Sequence, residues 1–208
     1  MKKIIIEQPW GGLGDNLQFS SLPEVGKQLG IEVWISNRNK YRNNEIKELV
    51  WDINPYIAGF TKEPGNIDLR SYKDTTGNII SNWETILFGS SYNDKPKIYY
   101  KPKHFNELSR ITLIDPRATS CPITFDEIIK KYPGKTLLLN YNMEGYRTLH
   151  TNNIFMWIDF ITSCREFVCQ YSGGSVAIRA FDKSATVYIS KKANQNFIFT
   201  ENNNILVS

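Results

Sequence analysis

"KKIIIEQPWGGLGDNLQFSSLPEV", residues 2–25, is the stretch on which the reading of this chain turns. The β-branched run Ile4-Ile5-Ile6 predicts a buried strand over 3–7, because a short apolar run closed by Pro and Gly favours strand over helix. Gly11, Gly12 and Gly14 then make a loop that Asp15 follows at once. Leu13, Leu17, Ser21, Val25 and Leu29 recur as a helical row. Ser21 and Glu24 spell a capping box with Pro23 in the first turn, which starts the principal helix at Ser21 and leaves 15–20 as a turn or kinked lead-in. Gly30 suits the helix end. A second strand follows at 31–36. The unit is strand, glycine loop, helix, strand.

The same alternation recurs along the chain. Helix is expected over 44–51, strand over 55–60 and helix over 82–87. Pro96 and Pro102 keep 94–103 extended, and this segment leads up to a domain boundary, giving domains 1–104 and 105–208. Beyond it come strand 110–115, helix 125–132 with Thr124 as N-cap, strand 135–141, helix 153–164, strand 166–171, helix 175–181 and strand 185–190. Strand–helix–strand repetition with short links implies right-handed crossovers and parallel sheets. The expected class is α/β, with two small Rossmann-like halves facing a cleft. Open sheets of this kind bind ligands at their strand C-termini.

Composition narrows the function. The 208 residues are 41% apolar and 22% charged, enough to bury a core. The net charge of +4 is a mild excess that does not call for nucleic acid. The basic segments 38–42 and 95–104 read as solvated surface. No apolar run approaches the roughly 20 residues that span a bilayer, and the N-terminus lacks a signal-peptide pattern. Cys121, Cys164 and Cys169 form no Cys-x-x-Cys pair, so a reducing, cytoplasmic setting is expected. His104 and His150 are the only histidines, too few for a His-based metal site. No Asp-x-Asp occurs to carry a metal-bound nucleotide-sugar, so neither a metal nor a cofactor is expected.

Three loops could carry chemistry. In the first, the dinucleotide fingerprint G-x-G-x-x-G is broken by Leu17, and no carboxylate stands at Asn37–Arg38, so NAD is not expected. Asp15 would repel a phosphate there. It reads as a base or hydroxyl-positioning group, or else as a helix cap worth about 1 kcal/mol. The second loop, Ser172-Gly173-Gly174-Ser175, also joins a strand to a helix, but without an acid. Its amides and hydroxyls suit a diphosphate; the alternative is a plain turn with Ser175 as N-cap. Arg179, one turn on, either reaches a phosphate or faces solvent. Arg117 and Ser120 leave the first strand of the second half, where an arginine fork would suit phosphate. Tyr141, Tyr146 and Arg147, in the link 140–153, are candidates for base stacking or gating.

With those residues in view, "GGLGDNLQFSSLPEVGKQLG" resembles the N-terminal motif of family 9 glycosyltransferases, the ADP-heptose:lipopolysaccharide heptosyltransferase group. "VCQYSGGSVAIRAF" is similar to that family's donor-site motif. The resemblance implies a GT-B fold and an inverting, metal-independent transfer of a sugar from a nucleoside diphosphate to a glycan or other hydroxyl acceptor. Asp15 would be the general base, with Gly11, Gly12, Gly14 and Asn16 shaping the acceptor-side loop. Ser172 to Ser175, with Arg117 and Ser120, would hold the donor diphosphate. The chain is shorter than typical members, and Tyr171 stands where an acid usually precedes the Ser-Gly pair. The first loop is also similar to the "GGLGNQ" loop of α-1,2-fucosyltransferases, where Asp15 would be Asn and the donor GDP-fucose. A non-catalytic nucleotide or sugar-nucleotide binding module is the alternative from another class.

Overall fold

The computed structural model describes residues 2–70, 78–116, 125–132, 134–193 and 197–207. The chain divides into two compact units, Met1–Tyr100 and Lys101–Ser208. Both are α/β with parallel sheets.

In the first unit, β1 (Lys3–Ile6), β2 (Glu32–Ser36) and β3 (Gly59–Thr61) pair in that order. Ile4 faces Val33 and Ile6 faces Ile35 across the ladder, and all four are buried. The glycine loop enters a short helix, α1 (Leu13–Leu17), and then α2 (Leu22–Gln28). The expected lead-in is therefore itself helical. The helix α3 (Asn44–Lys47), capped by the Asn43 side chain, runs on into a π turn over Glu48–Asp52. The last helix of the unit, α4 (Ile79–Phe88), is longer than 82–87 and stops at Gly89, whose φ of 84° suits glycine. The third strand begins only at Gly59, four residues later than the sequence pattern suggested.

The Ser21–Glu24 capping box does not form, although Pro23 does lie in the first turn of α2. Ser21 Oγ instead donates to Glu84 Oε1 at 2.6 Å. Glu84 is fully buried and also accepts from the Tyr92 and Asn93 amides and from Asn93 Nδ2. A buried carboxylate needs its donors more than an N-terminal amide needs its cap, so the hydroxyl goes to the acid.

The second unit holds β4 (Thr112–Asp115), α5 (Phe125–Ile129), β5 (Thr136–Leu139), β6 (Arg147–Leu149), α6 (Ile154–Ser163) and β7 (Glu166–Gln170). It continues through α7 (Gly173–Ala177), a 3-10 turn over Ile178–Phe181, β8 (Ala185–Ser190) and β9 (Asn203–Val207). All strands are parallel in the order β6-β5-β4-β7-β8-β9. Numbered within the unit this is 3-2-1-4-5-6, the doubly wound order, which reverses direction between β4 and β7. The central strands are buried apolar runs, as sheets covered on both faces require. The edge strands β6 and β9 were not foreseen. Arg147, expected in a gating link, lies in β6.

Candidate functional site

The first glycine loop leaves the C-terminal end of β1 and is built on Gln8, which is fully buried. Its amide donates to Asn39 Oδ1, its side-chain nitrogen to the Lys40 carbonyl, and its side-chain oxygen accepts from the Trp10 amide. Two further backbone bonds, Lys40 N–H to Gln8 O and Arg42 N–H to Gly11 O, dock segment 38–42 against the loop. The basic cluster noted in the sequence thus borders the glycine loop, with Arg38, Lys40 and Arg42 exposed. Gly11 is required by this docking, because a Cβ there would stand 2.9 Å from the Arg42 nitrogen.

Asp15 sits in the first turn of α1, where Gly12 N–H donates to its Oδ2 at 3.0 Å. The capping arrangement is therefore real. Burial raises the Asp15 pKa above its ordinary 3.8, while the Gly12 hydrogen bond and the Arg42 charge pull it down. The net direction is upward, toward a more basic carboxylate. Among the described residues, no group donates a hydrogen bond to Oδ1.

Asn16, expected beside Asp15 in the acceptor-side loop, is 0% exposed. Its Nδ2 donates to Gly12 O at 2.9 Å, and its Oδ1 accepts from Trp51 Nε1 at 2.9 Å. Gln18 is held in the same fashion, its Nε2 donating to Asp15 O at 2.8 Å and its Oε1 accepting from Trp83 Nε1 at 3.1 Å. Trp51, Trp83 and Gln18 were not singled out from the sequence. The amides behind Asp15 could have been noticed in "DNLQ", but nothing local marks their indole partners.

The second loop lies where the strand order reverses. Ser172 is the N-cap of α7: its Oγ accepts from Gly174 N–H at 3.2 Å, and Ser172 N–H donates to Ser175 Oγ. Ser172 rather than Ser175 therefore caps the helix, and Ser175, 1% exposed, spends its hydroxyl inside the turn. Ser172 and Gly173 are the more accessible members. Among the described residues, none accepts the Gly173 amide. Next to this turn, Gln170 Nε2 donates to Pro116 O, tying the ends of β7 and β4 together. Asp115, a carboxylate the sequence reading passed over, ends β4 and accepts from Trp157 Nε1 at 3.0 Å. Arg117, Ser120, Cys121 and Thr124 lie outside the described residues.

Arg179 neither faces solvent nor reaches toward the Ser-Gly turn. It is buried, donating to the Lys183 carbonyl, with Glu201 3.8 Å away. Tyr141 and Tyr146 pack against the core around Ile129 and Leu138. Cys164 and Cys169 are buried free thiols.

The chain shares its fold with solved glycosyltransferases. It matches the iron-containing dodecameric glycosyltransferase TibC from enterotoxigenic E. coli H10407 with a TM-score of 0.66 at 14% identity, covering 100% of this chain and 64% of TibC. TibC described as an iron-containing heptosyltransferase in complex with ADP-D-beta-D-heptose gives 0.67 at 14% identity and the same coverage. A family 9 glycosyltransferase from Veillonella parvula DSM 2008 gives 0.63 at 9% identity, covering 99% of this chain and 85% of that one. The chain spans less than two thirds of the length of TibC. No family model matches it, and no curated protein matches it in sequence. The likeness is one of fold.

The neighbours correct one expectation. The sequence was read as needing no cofactor or metal, whereas TibC is iron-containing. Among the described residues of this chain, no group of three or more His, Cys, Asp or Glu gathers.

Proposed function

We propose that this protein is a glycosyltransferase that moves a sugar from a nucleoside diphosphate to a hydroxyl acceptor. The observation that carries the reading is the Ser172–Gly174 turn at the strand-order reversal of a doubly wound sheet. Crevices at that point take phosphorylated ligands, and the fold is shared along the whole chain with glycosyltransferases. The second unit then takes the donor and the first takes the acceptor, in a cytoplasmic setting.

In this mechanism the amides opening α7 meet the diphosphate charge, and Arg117 and Ser120 are proposed as further ligands of that charge. Asp15 Oδ1 takes the proton of the acceptor hydroxyl as its oxygen attacks the anomeric carbon. The bond to the diphosphate breaks on the opposite side, so the anomeric centre inverts. Gly11, Gly12 and Gly14 shape the loop that presents Asp15. Burial of the carboxylate favours the proton-accepting role.

A thermal-shift panel of nucleotides and nucleotide-sugars tests the reading, because a ligand that binds only the folded state raises its stability by mass action. Stabilisation by one nucleoside diphosphate and its sugar conjugate is expected. No shift with any nucleotide overturns the proposal. A shift without transfer to any acceptor assigns the chain to the non-catalytic binding class instead.

A further inference from the structure

We propose that Trp51 and Trp83 are positioning residues for Asp15, acting through the side-chain amides of Asn16 and Gln18. The inference rests on the reading of Asp15 as the base. Both indoles are fully buried, and they come from different elements, Trp51 from the π turn after α3 and Trp83 from α4. Each places its one N–H on the oxygen of an amide carried by the Asp15 segment. Each of those amides passes its nitrogen to a main-chain carbonyl of the same segment, Gly12 O in one case and Asp15 O in the other.

The chemistry of the indole gives the arrangement its direction. An amide can turn either end toward a neighbour, but an indole N–H can only donate. Trp51 therefore fixes Asn16 with its oxygen inward and its NH2 on Gly12 O. Trp83 does the same for Gln18, whose NH2 lands on the carbonyl of Asp15 itself. The Gly12 peptide is thereby held at its carbonyl, while its amide holds Asp15 Oδ2. Asp15 is braced in front through Gly12 and behind through its own carbonyl. The carboxylate that must meet an acceptor proton is set by four side chains, all of them buried. The π turn has a role here, since π turns inside helices recur at functional sites, and this one contains Trp51.

The test uses Trp51→Phe and Trp83→Phe, which keep an aromatic ring and remove the donor, with Gln18→Met asking the same question from the amide side. The Asp15 carboxyl is titrated in each free protein by 13C NMR, alongside thermal melting. Loss of either indole donor loosens the segment and admits water to Asp15. The midpoint is expected to fall toward the ordinary carboxylate value. Trp83→Phe and Gln18→Met together are expected to do no more than either alone, since both break one relay. A midpoint that is unchanged or raised, with only the melting temperature lowered, overturns the proposal and leaves the tryptophans as core residues. If a tryptophan variant does not fold, Gln18→Met is read by the same criterion. Asp15→Asn separates the two readings: retained turnover there removes the base, whereas an inactive Asp15→Asn with unmoved midpoints removes only the positioning.

Discussion

Gly12 and Asp15 close on one another across a single helical turn, the glycine amide donating to the aspartate Oδ2 at 3.0 Å. In the proposed mechanism one residue thus closes the first turn of a helix and offers its other oxygen to an acceptor, and substitutions can separate the two tasks. Asparagine keeps an oxygen for the Gly12 amide and loses the base.

Asp15→Asn is expected to lower turnover by about 10²–10⁴-fold while stability stays within about 1 kcal/mol of the parent. Donor-induced thermal stabilisation should persist. Turnover close to the parent's would remove Asp15 from the chemistry.

Burial raises the Asp15 pKa above 3.8, and the base must be ionised to act. Activity should therefore fall as pH drops through the raised value, on an acid limb lying above that of an ordinary aspartate. The stability effect has the opposite sense. The folded state holds the Asp15 proton more tightly than the unfolded chain, so this contribution is present below the unfolded pKa and is lost as pH rises through the folded one. Denaturant unfolding of the parent and of Asp15→Asn from about pH 3 to 7 should show that slope in the parent alone.

Gly11 and Gly12 differ in what surrounds them. A Cβ at Gly11 would meet the main chain, 2.9 Å from Arg42 N and 3.1 Å from Tyr41 C. Gly11→Ala should cost about 1–3 kcal/mol in a melting experiment. At Gly12 the obstacle is Asp15 Oδ2 at 2.6 Å, a side-chain atom that can swing away. Gly12→Ala should melt closer to the parent yet lose activity by displacing the carboxylate.

Ser172→Ala removes the oxygen that accepts the Gly174 amide. Stability should fall by about 1 kcal/mol, the usual value of an N-cap. The thermal shift given by a nucleoside diphosphate should shrink further than that given by the bare nucleoside. Equal shrinkage for both ligands would place the diphosphate elsewhere.

Glu84 carries no proposed chemistry, yet it gathers donors from Ser21, Tyr92 and Asn93. Glu84→Ala leaves the buried Ser21 hydroxyl and the Tyr92 and Asn93 donors without this acceptor, at about 1–3 kcal/mol for each group that water does not reach. The melting temperature should fall without loss of nucleotide binding, which a calorimetric titration of the surviving folded protein would check.

Some of this was legible in the sequence because its cause is local. Ile4-Ile5-Ile6 announces β1 through β-branching and the glycines that follow. The Asn153 cap, whose side chain accepts from the Met156 amide, opens α6 where the sequence placed it. The strands Arg147–Leu149 and Asn203–Val207 carried no such signal. Each is a short edge strand, mixed in polarity, and held by pairing with one neighbour along the sheet. The Ser21 hydroxyl was misread for a similar reason. Its rival acceptor, Glu84, is sixty-three residues away in the chain.

The residues by themselves determined that this protein is α/β, that two glycine-bearing turns follow buried strands, and that one of those turns carries an aspartate. Periodicity, β-branching and turn chemistry act over a few neighbours and can be read in order. Tertiary structure alone decided that the strand order of the second unit reverses between β4 and β7, beside Ser172, that the serine hydroxyls are largely spent on their own turn, and that Arg179 is turned inward. It also decided that Asn16 and Gln18 stand behind Asp15 with an indole fixed to each. The indole–amide bonds are contacts between distant segments, made when buried donors and acceptors must find partners as the core closes, and no spacing in the sequence encodes them.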